Sequence, residues 1–184
     1  VPGGFMSMIS HILIREAINE ESLKNPALIL LQINSSINEV LHQSDELTSN
    51  KDGLDVAVVV YDEEHNNLKF AGAIRPLYLY RNGIRNVFPG DRFSIGGINA
   101  TKNFITKEID IEKGDTIYLF SDGFPDQFGG SKYKKMKVVV FNELLDQISH
   151  FPLKKQLEEI DTFFTNWKGE HAQMDDVLVI GFRI

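Results

Sequence analysis

The chain has 184 residues, enough for one hydrophobic core of ordinary size and too few for two comfortable ones. Hydrophobic residues at 42% and charged residues at 24% are too apolar for a disordered chain and too interrupted for a membrane span of about 20 residues. The absence of cysteine excludes a disulfide framework, a thiolate metal site and thiolate nucleophiles, and a net charge of −7 gives no electrostatic footprint for nucleic acid or anionic lipid.

Val1-Pro2-Gly3-Gly4 is neither an initiator methionine nor a signal peptide, and reads as the interior of a longer protein. Phe5, Met8, Ile9, Ile12, Leu13 and Ala17 recur at steps of three and four. That spacing predicts a helix entered through a Gly3-Gly4 turn, with Phe and Met as core residues. Asn25-Pro26 is an N-cap followed by proline at the first helical position. Ile29, Ile33, Ile37, Val40 and Leu41 carry that second helix to about His42. Polar residues 44–53 form a loop, after which the pattern turns to short β-rich runs at 56–61, 68–72, 77–81 and 84–88. Asn82-Gly83 is the strongest hairpin signal among their turns.

Residues 104–111 alternate as a further strand, and Thr116-Ile117-Tyr118-Leu119-Phe120 is an apolar run expected to be buried on both faces, ending at Ser121-Asp122-Gly123. Helices follow at 139–148 and 153–167, the second with Leu157, Ile160, Phe163, Phe164 and Trp167 on one face and Gly169 as its stop. Asp175-Asp176 launches a final strand over 177–184. The order helix, helix, strands, helix, helix, strand predicts an α/β (α+β) domain spanning 1–184, with sheets sandwiched between helical layers.

Two acidic corners stand out. Asp122 follows the C-terminal end of one buried strand and Asp175 precedes the start of another. If the two strands are antiparallel neighbours, both carboxylates meet at one sheet edge. Converging carboxylates repel unless a cation neutralises them, and an all-oxygen site suits Mg²⁺ or Mn²⁺ rather than zinc. Gly123 would let the backbone turn closely around such an ion. Asp-Gly and Asp-Asp are common turn and cap residues, on composition alone the commoner use of such pairs, and spacing does not settle the choice.

Val1-Pro2-Gly3-Gly4-Phe5-Met6-Ser7-Met8 looks like the second half of a motif of the form D-x-T-G-H-G-V-P-G-A-F-M-S. Asp52-Gly53-Leu54-Asp55, Ala71-Gly72-Ala73, the run Gly114 to Gly123, Asp126-Gln127-Phe128-Gly129-Gly130 and Asp175-Asp176-Val177-Leu178-Val179-Ile180 continue it in order. Together they resemble the SpoIIE-like branch of the metal-dependent PPM serine/threonine protein phosphatases. The resemblance implies an α-β-β-α sandwich of largely antiparallel sheets, with two Mn²⁺ or Mg²⁺ ions activating a water that hydrolyses phosphoserine or phosphothreonine in a protein. It implies metal ligation by Asp122 and Asp175, with Gly123 and Asp176 as further members of the two ligand motifs. It places a bridging aspartate upstream of Val1, together with the first strands of one sheet, so the fragment alone is expected to be inactive.

The same resemblance implies a cytoplasmic, bacterial signalling protein. Its partners would be an upstream sensor domain and a phosphorylated regulatory protein as substrate, with no membrane or nucleic-acid contact by this domain. The N-terminal helices are expected to pair two copies into a homodimer. Lys132 and Lys134, in a basic cluster with Lys135 and Lys137, are candidate substrate-binding residues, or else a solvated flap. His171 reads as a solvated loop residue, and Asp52, Asp55, Asp115 and Asp126 as turn and cap residues. The alternative from another class is a catalytically silent relative that binds a regulatory partner.

Overall fold

The computed structural model describes residues 3–19, 24–41, 53–96 and 103–184. The element order is α1 (Gly3–Asn19), α2 (Pro26–Val40), β1 (Val56–Asp62), β2 (Asn67–Ala73), β3 (Leu77–Arg81), β4 (Ile84–Phe88), β5 (Lys107–Asp110) and β6 (Thr116–Phe120). After them come α3 (Gly123–Asp126), β7 (Phe128–Gly129), β8 (Lys134–Lys135), α4 (Lys137–Ile148), α5 (Leu153–Lys168) and β9 (Val179–Arg183). The expected end of the second helix at His42, Asp52 and most of the expected 44–53 loop lie outside the described residues. Among the described residues no helix is long and apolar enough to cross a membrane. Two compact units separate, Val1–Leu77 with Pro89–Ile111 and Tyr78–Phe88 with Glu112–Ile184.

In the first unit β1, β2 and β5 form an antiparallel sheet in the order β1-β2-β5, with Val56 opposite Ala73 and Phe70 opposite Lys107. Alternation puts Val56, Val58, Val60, Ala71 and Ala73 on one face. They share a core with Ile29, Leu30, Ile33 and Ile37 of α2 and Ala17 of α1. The side chain of Asn25 caps α2 as expected, accepting from the amides of Ala27 and Leu28 at 3.0 and 3.4 Å. The strand expected over 104–111 is shorter, because residues 104–106 have other partners. Thr106 donates its hydroxyl to Asn25 and accepts from the Ala27 amide, Ile105 N–H donates to Asp91, and the Phe104 ring lies 4.9 Å from that of Phe93.

The N-terminal helix differs from expectation in two respects. Gly3 and Gly4 belong to α1 rather than to a turn before it. Its buried side runs through Ser10 and Ala17, with Leu13 and Ile14 partly buried, whereas Phe5, Met8 and Ile12 are 62%, 65% and 52% exposed. The apolar stripe is wider than the neighbouring α2 covers, so Phe5 and Met8 are not core residues.

In the second unit the sheet runs β4-β3-β6-β9. Asn82 and Gly83, with φ of +51° and +77°, make the left-handed two-residue turn between β3 and β4. β6 pairs antiparallel with both β3 and β9, Tyr118 facing Tyr78 on one side and Gly181 on the other. Its first three residues are buried, and Leu119 and Phe120 are half-buried. Tyr78, Tyr80 and Tyr118 pack with Phe124, Phe141 of α4 and Ile160 and Phe164 of α5. Burial pushes the Tyr118 phenol up to about 12, and it donates to Gln156. The α5 core face is Gln156, Ile160 and Phe164; Leu157, expected on it, is 66% exposed. The hairpin β7–β8 and the turn α3 are absent from the periodicity reading, being too short to show a period.

Candidate metal centre

β6 and β9 are antiparallel neighbours, with Phe120 opposite Val179. The pairing continues past the strands through Ser121, whose amide donates to the Leu178 carbonyl at 3.0 Å. Its hydroxyl accepts from the Leu178 amide at 3.0 Å and donates to the Asp176 carbonyl at 2.8 Å. One serine therefore bridges both directions of the ladder where the strands diverge. Gly123 is buried beside it, and a Cβ there would stand 2.3 Å from the Asp176 carbonyl oxygen and 2.8 Å from its carbon. The space that Gly123 leaves is thus filled by the chain of the other acidic corner.

This contact brings Asp122 and the Asp175-Asp176 pair to one end of the β6–β9 ladder. Asp122 is half-buried, and its carbonyl accepts the Asp126 amide at 2.8 Å to open α3. Asp175 and Asp176 are exposed; the Asp175 carboxylate accepts the Asp176 amide at 2.7 Å, and its carbonyl accepts from Gln173 at 2.8 Å. Such an all-oxygen donor set, next to close-packed backbone carbonyls, has the chemistry of a hard-cation site rather than a zinc site. Among the described residues no group of three or more His, Cys, Asp or Glu side chains is placed to hold an ion. Asp122, Asp175 and Asp176 offer oxygen donors of the kind Mg²⁺ accepts, but the three side chains do not by themselves form a grouped ion site.

Lys132 and Lys134 are exposed, Lys134 on β8 and Lys132 in the turn before it. Their neighbour Lys135 pairs with Asp126 at 2.8 Å, tying the hairpin to α3. Tyr133 packs its ring 5.5 Å from Phe128 and 4.5 Å from the exposed His171. Asp55 and Asp115, read as turn residues, also hold cations: Asp55 pairs with Arg75 at 3.2 Å and Asp115 with Arg81 at 2.6 Å. Asp115 closes its own turn as well, accepting the Glu112 amide at 2.8 Å.

Three residues that sequence reasoning did not single out join this corner together. Ser121 bridges the strand ends, Gln127 is wholly buried, and the Trp167 indole donates to the Gln127 carbonyl at 3.1 Å. A glutamine inside the run Phe124 to Gly130 was the available signal, since a buried carboxamide survives only where its hydrogen bonds are met.

None of the curated, characterised proteins matches the chain. Among solved structures it is similar to the SiaA-PP2C domain of Pseudomonas aeruginosa, at 29% identity over 100% of this chain and 71% of that one, with a TM-score of 0.86. It is similar in fold to the PP2C phosphatase domain of SpoIIE from Bacillus subtilis, solved with a fragment of its regulatory domain. That match is 13% identical, covers 95% of this chain and 49% of that one, and has a TM-score of 0.70. The catalytic domain of the serine/threonine protein phosphatase PstP, in complex with 2 manganese ions, shares the fold at 15% identity, 95% and 80% coverage and a TM-score of 0.62. The mixed α/β architecture of antiparallel sheets and helices is accordingly that of PP2C phosphatase domains. The family model of stage II sporulation protein E (SpoIIE) matches residues 1–184, every position of the sequence, and the chain belongs to that family of PPM phosphatase domains.

Proposed function

We propose that residues 1–184 act as a PPM-type phosphatase domain that hydrolyses phosphoserine or phosphothreonine in a bacterial regulatory protein. In this reading it is the cytoplasmic output of a signalling protein whose sensor lies elsewhere in the polypeptide. The observation that carries the reading is the Ser121 bridge, which joins the ends of β6 and β9 and so sets Asp122 beside Asp175-Asp176 within a SpoIIE-family chain. Bound Mn²⁺ or Mg²⁺ would neutralise phosphate charge and activate the attacking water. Asp122 and Asp175 would hold the metal, with Asp176 as a further oxygen donor. Gly123 keeps the two backbone segments in contact, and the exposed Lys132 and Lys134 would receive the phosphoprotein. In the hydrolysis the water oxygen bonds to phosphorus, the ester P–O bond breaks, and the serine or threonine oxygen leaves with a proton. Phe5, Met8 and Ile12 on the exposed side of α1 would pair two copies.

The test is Mn²⁺-dependent phosphate release from a phosphoserine peptide. It compares wild type, Asp122→Asn and Asp175→Asn, each as the 184-residue chain and as the chain with whatever its gene encodes before Val1. Each substitution should lower turnover by about 100-fold or more, as expected for losing charge stabilisation in the transition state, with an unchanged circular dichroism spectrum. The longer form should be the active one, because the resemblance places a further carboxylate ahead of Val1. Wild-type turnover from either variant would refute the assignment. Metal binding without hydrolysis in both forms would favour the silent, partner-binding alternative.

A further inference from the structure

We propose that Gln127 is the positioning residue of this corner: its buried carboxamide fixes the 172–174 segment and thereby delivers Asp175 to Asp122. The inference rests on the function proposed above for what the corner does. Residues 170–178 lie between α5 and β9 and carry no helix or strand of their own, and most of them are exposed. A segment without a backbone ladder takes its place from the side chains that hold it. Ser121 and Gln127, from outside the segment, grip its backbone on the two sides of Asp175. Ser121 holds Asp176 and Leu178, as described above. On the other side the Gln127 amide nitrogen donates to the Ala172 carbonyl at 2.9 Å, and its side-chain oxygen accepts the Met174 amide at 3.2 Å.

Gln127 is itself held from several directions. Its exposure is 0%, and its amide nitrogen also donates to the Phe128 carbonyl at 2.9 Å. Its main-chain carbonyl accepts from the Met136 amide at 3.0 Å and from the Trp167 indole at 3.1 Å, and its amide donates to Phe124 at 3.3 Å. Gly129 completes the clamp, because a Cβ there would stand 1.9 Å from the Trp167 carbonyl oxygen, and the Gly130 amide donates to that oxygen at 2.8 Å. Gln127 therefore couples the turn that follows Asp122, the hairpin and the end of α5 to the segment that precedes Asp175. An apolar residue could fill the same space, but it could not grip the backbone of Ala172 and Met174. The match between a fully buried carboxamide and these three groups is what assigns it a positioning role.

The test uses the polypeptide extended upstream of Val1, with hydrogen–deuterium exchange and Mn²⁺ calorimetry as readouts. Gln127→Met keeps the side-chain length without donors or acceptor. It should speed exchange across 171–178 about tenfold, leave α4 and α5 peptides unchanged, and weaken Mn²⁺ binding about tenfold. Gln127→Glu keeps an acceptor for the Met174 amide and should fall between the two. Met174→Pro removes the same hydrogen bond from the exposed side, where no core is lost, and should reproduce the exchange and Mn²⁺ effects; Met174→Ala should not. Wild-type exchange and Mn²⁺ affinity in Gln127→Met and Met174→Pro would overturn the inference and leave the proposed function standing. A wild-type protein that binds no Mn²⁺ would overturn the proposed function, and exchange alone would then decide whether Gln127 fixes the segment.

Discussion

Substituting Gly123 with alanine tests the closure of the acidic corner most directly. The added Cβ would stand 2.3 Å from the Asp176 carbonyl oxygen, 2.8 Å from its carbon and 3.3 Å from the Val177 nitrogen. All three are backbone atoms, so no rotamer change relieves the contact. Close C···O approaches in proteins begin near 3.3 Å, which requires the two backbone segments to separate by about 1 Å. Ser121 is the hinge of that separation, and its three bonds to Asp176 and Leu178, at 2.8 to 3.0 Å, would stretch together. Overpacking of this kind costs about 1–3 kcal/mol, and we expect about 2–3 because hydrogen bonds are strained as well. At about 2–4 °C per kcal/mol for a chain of this length, the melting temperature should fall by about 4–12 °C. A misplacement of about 1 Å costs on the order of 100-fold in turnover, so phosphatase activity should drop far more than folded fraction does. Thermal melts by circular dichroism and kcat at saturating Mn²⁺, measured side by side on the polypeptide extended upstream of Val1, separate the two effects. A Gly123→Ala protein that melts and turns over like wild type would show that the two acidic corners are not held by this contact.

Other expectations follow from the same reasoning. Gly4→Ala, at a helical position where a Cβ meets nothing within 4 Å, should raise stability by up to about 0.5–1 kcal/mol, read as a higher melting temperature. Arg81→Ala leaves the buried Asp115 carboxylate with the Glu112 amide as its remaining described partner, and should cost about 2 kcal/mol by denaturant melt, discounted because Arg81 is 30% exposed. Burial alone would raise the Asp115 pKa, but Arg81 and the Glu112 amide outweigh it and hold the carboxyl below its ordinary 3.8. A lowered folded-state pKa gives stability that is present above pH 3.8 and lost as pH falls through the folded value, so wild type should lose an acid-labile share that Arg81→Ala lacks. If α1 pairs two copies, light scattering should give twice the chain mass, and Phe5→Ser with Ile12→Ser should return a monomer; a wild-type monomer at high concentration would count against pairing.

Local signals were legible wherever the physics is local. Asn25-Pro26 caps a helix because side-chain geometry and a missing N–H act within one turn, and Asn82-Gly83 makes a hairpin because both residues accept positive φ. The buried run at β6 and the strand launched near Asp175 were readable from their apolar residues. The antiparallel pairing between them was a conditional inference that the sheet satisfies. Hydrophobic period, in contrast, marks an apolar stripe without saying which part of it a neighbour covers. Phe5, Met8 and Leu157 follow the period and are exposed, whereas Ser10 and Gln156 are polar and buried.

The sequence by itself determined the order of the longer helices and strands, the N-cap of α2 and the β3–β4 turn, and membership in a phosphatase family through an ordered set of short motifs. The tertiary structure decided where the strand expected over 104–111 begins, because the Thr106 hydroxyl is drawn to Asn25, the N-cap of α2, 81 residues away. It also decided that Ser121 and Gln127 hold the Asp175 segment, over separations of 45 to 57 residues. The physical reason is the range of the interactions. Caps, turns and periodicity are set by neighbours along the chain, whereas a buried carboxamide or a bridging hydroxyl acquires its partners only when the sheet and helices have packed.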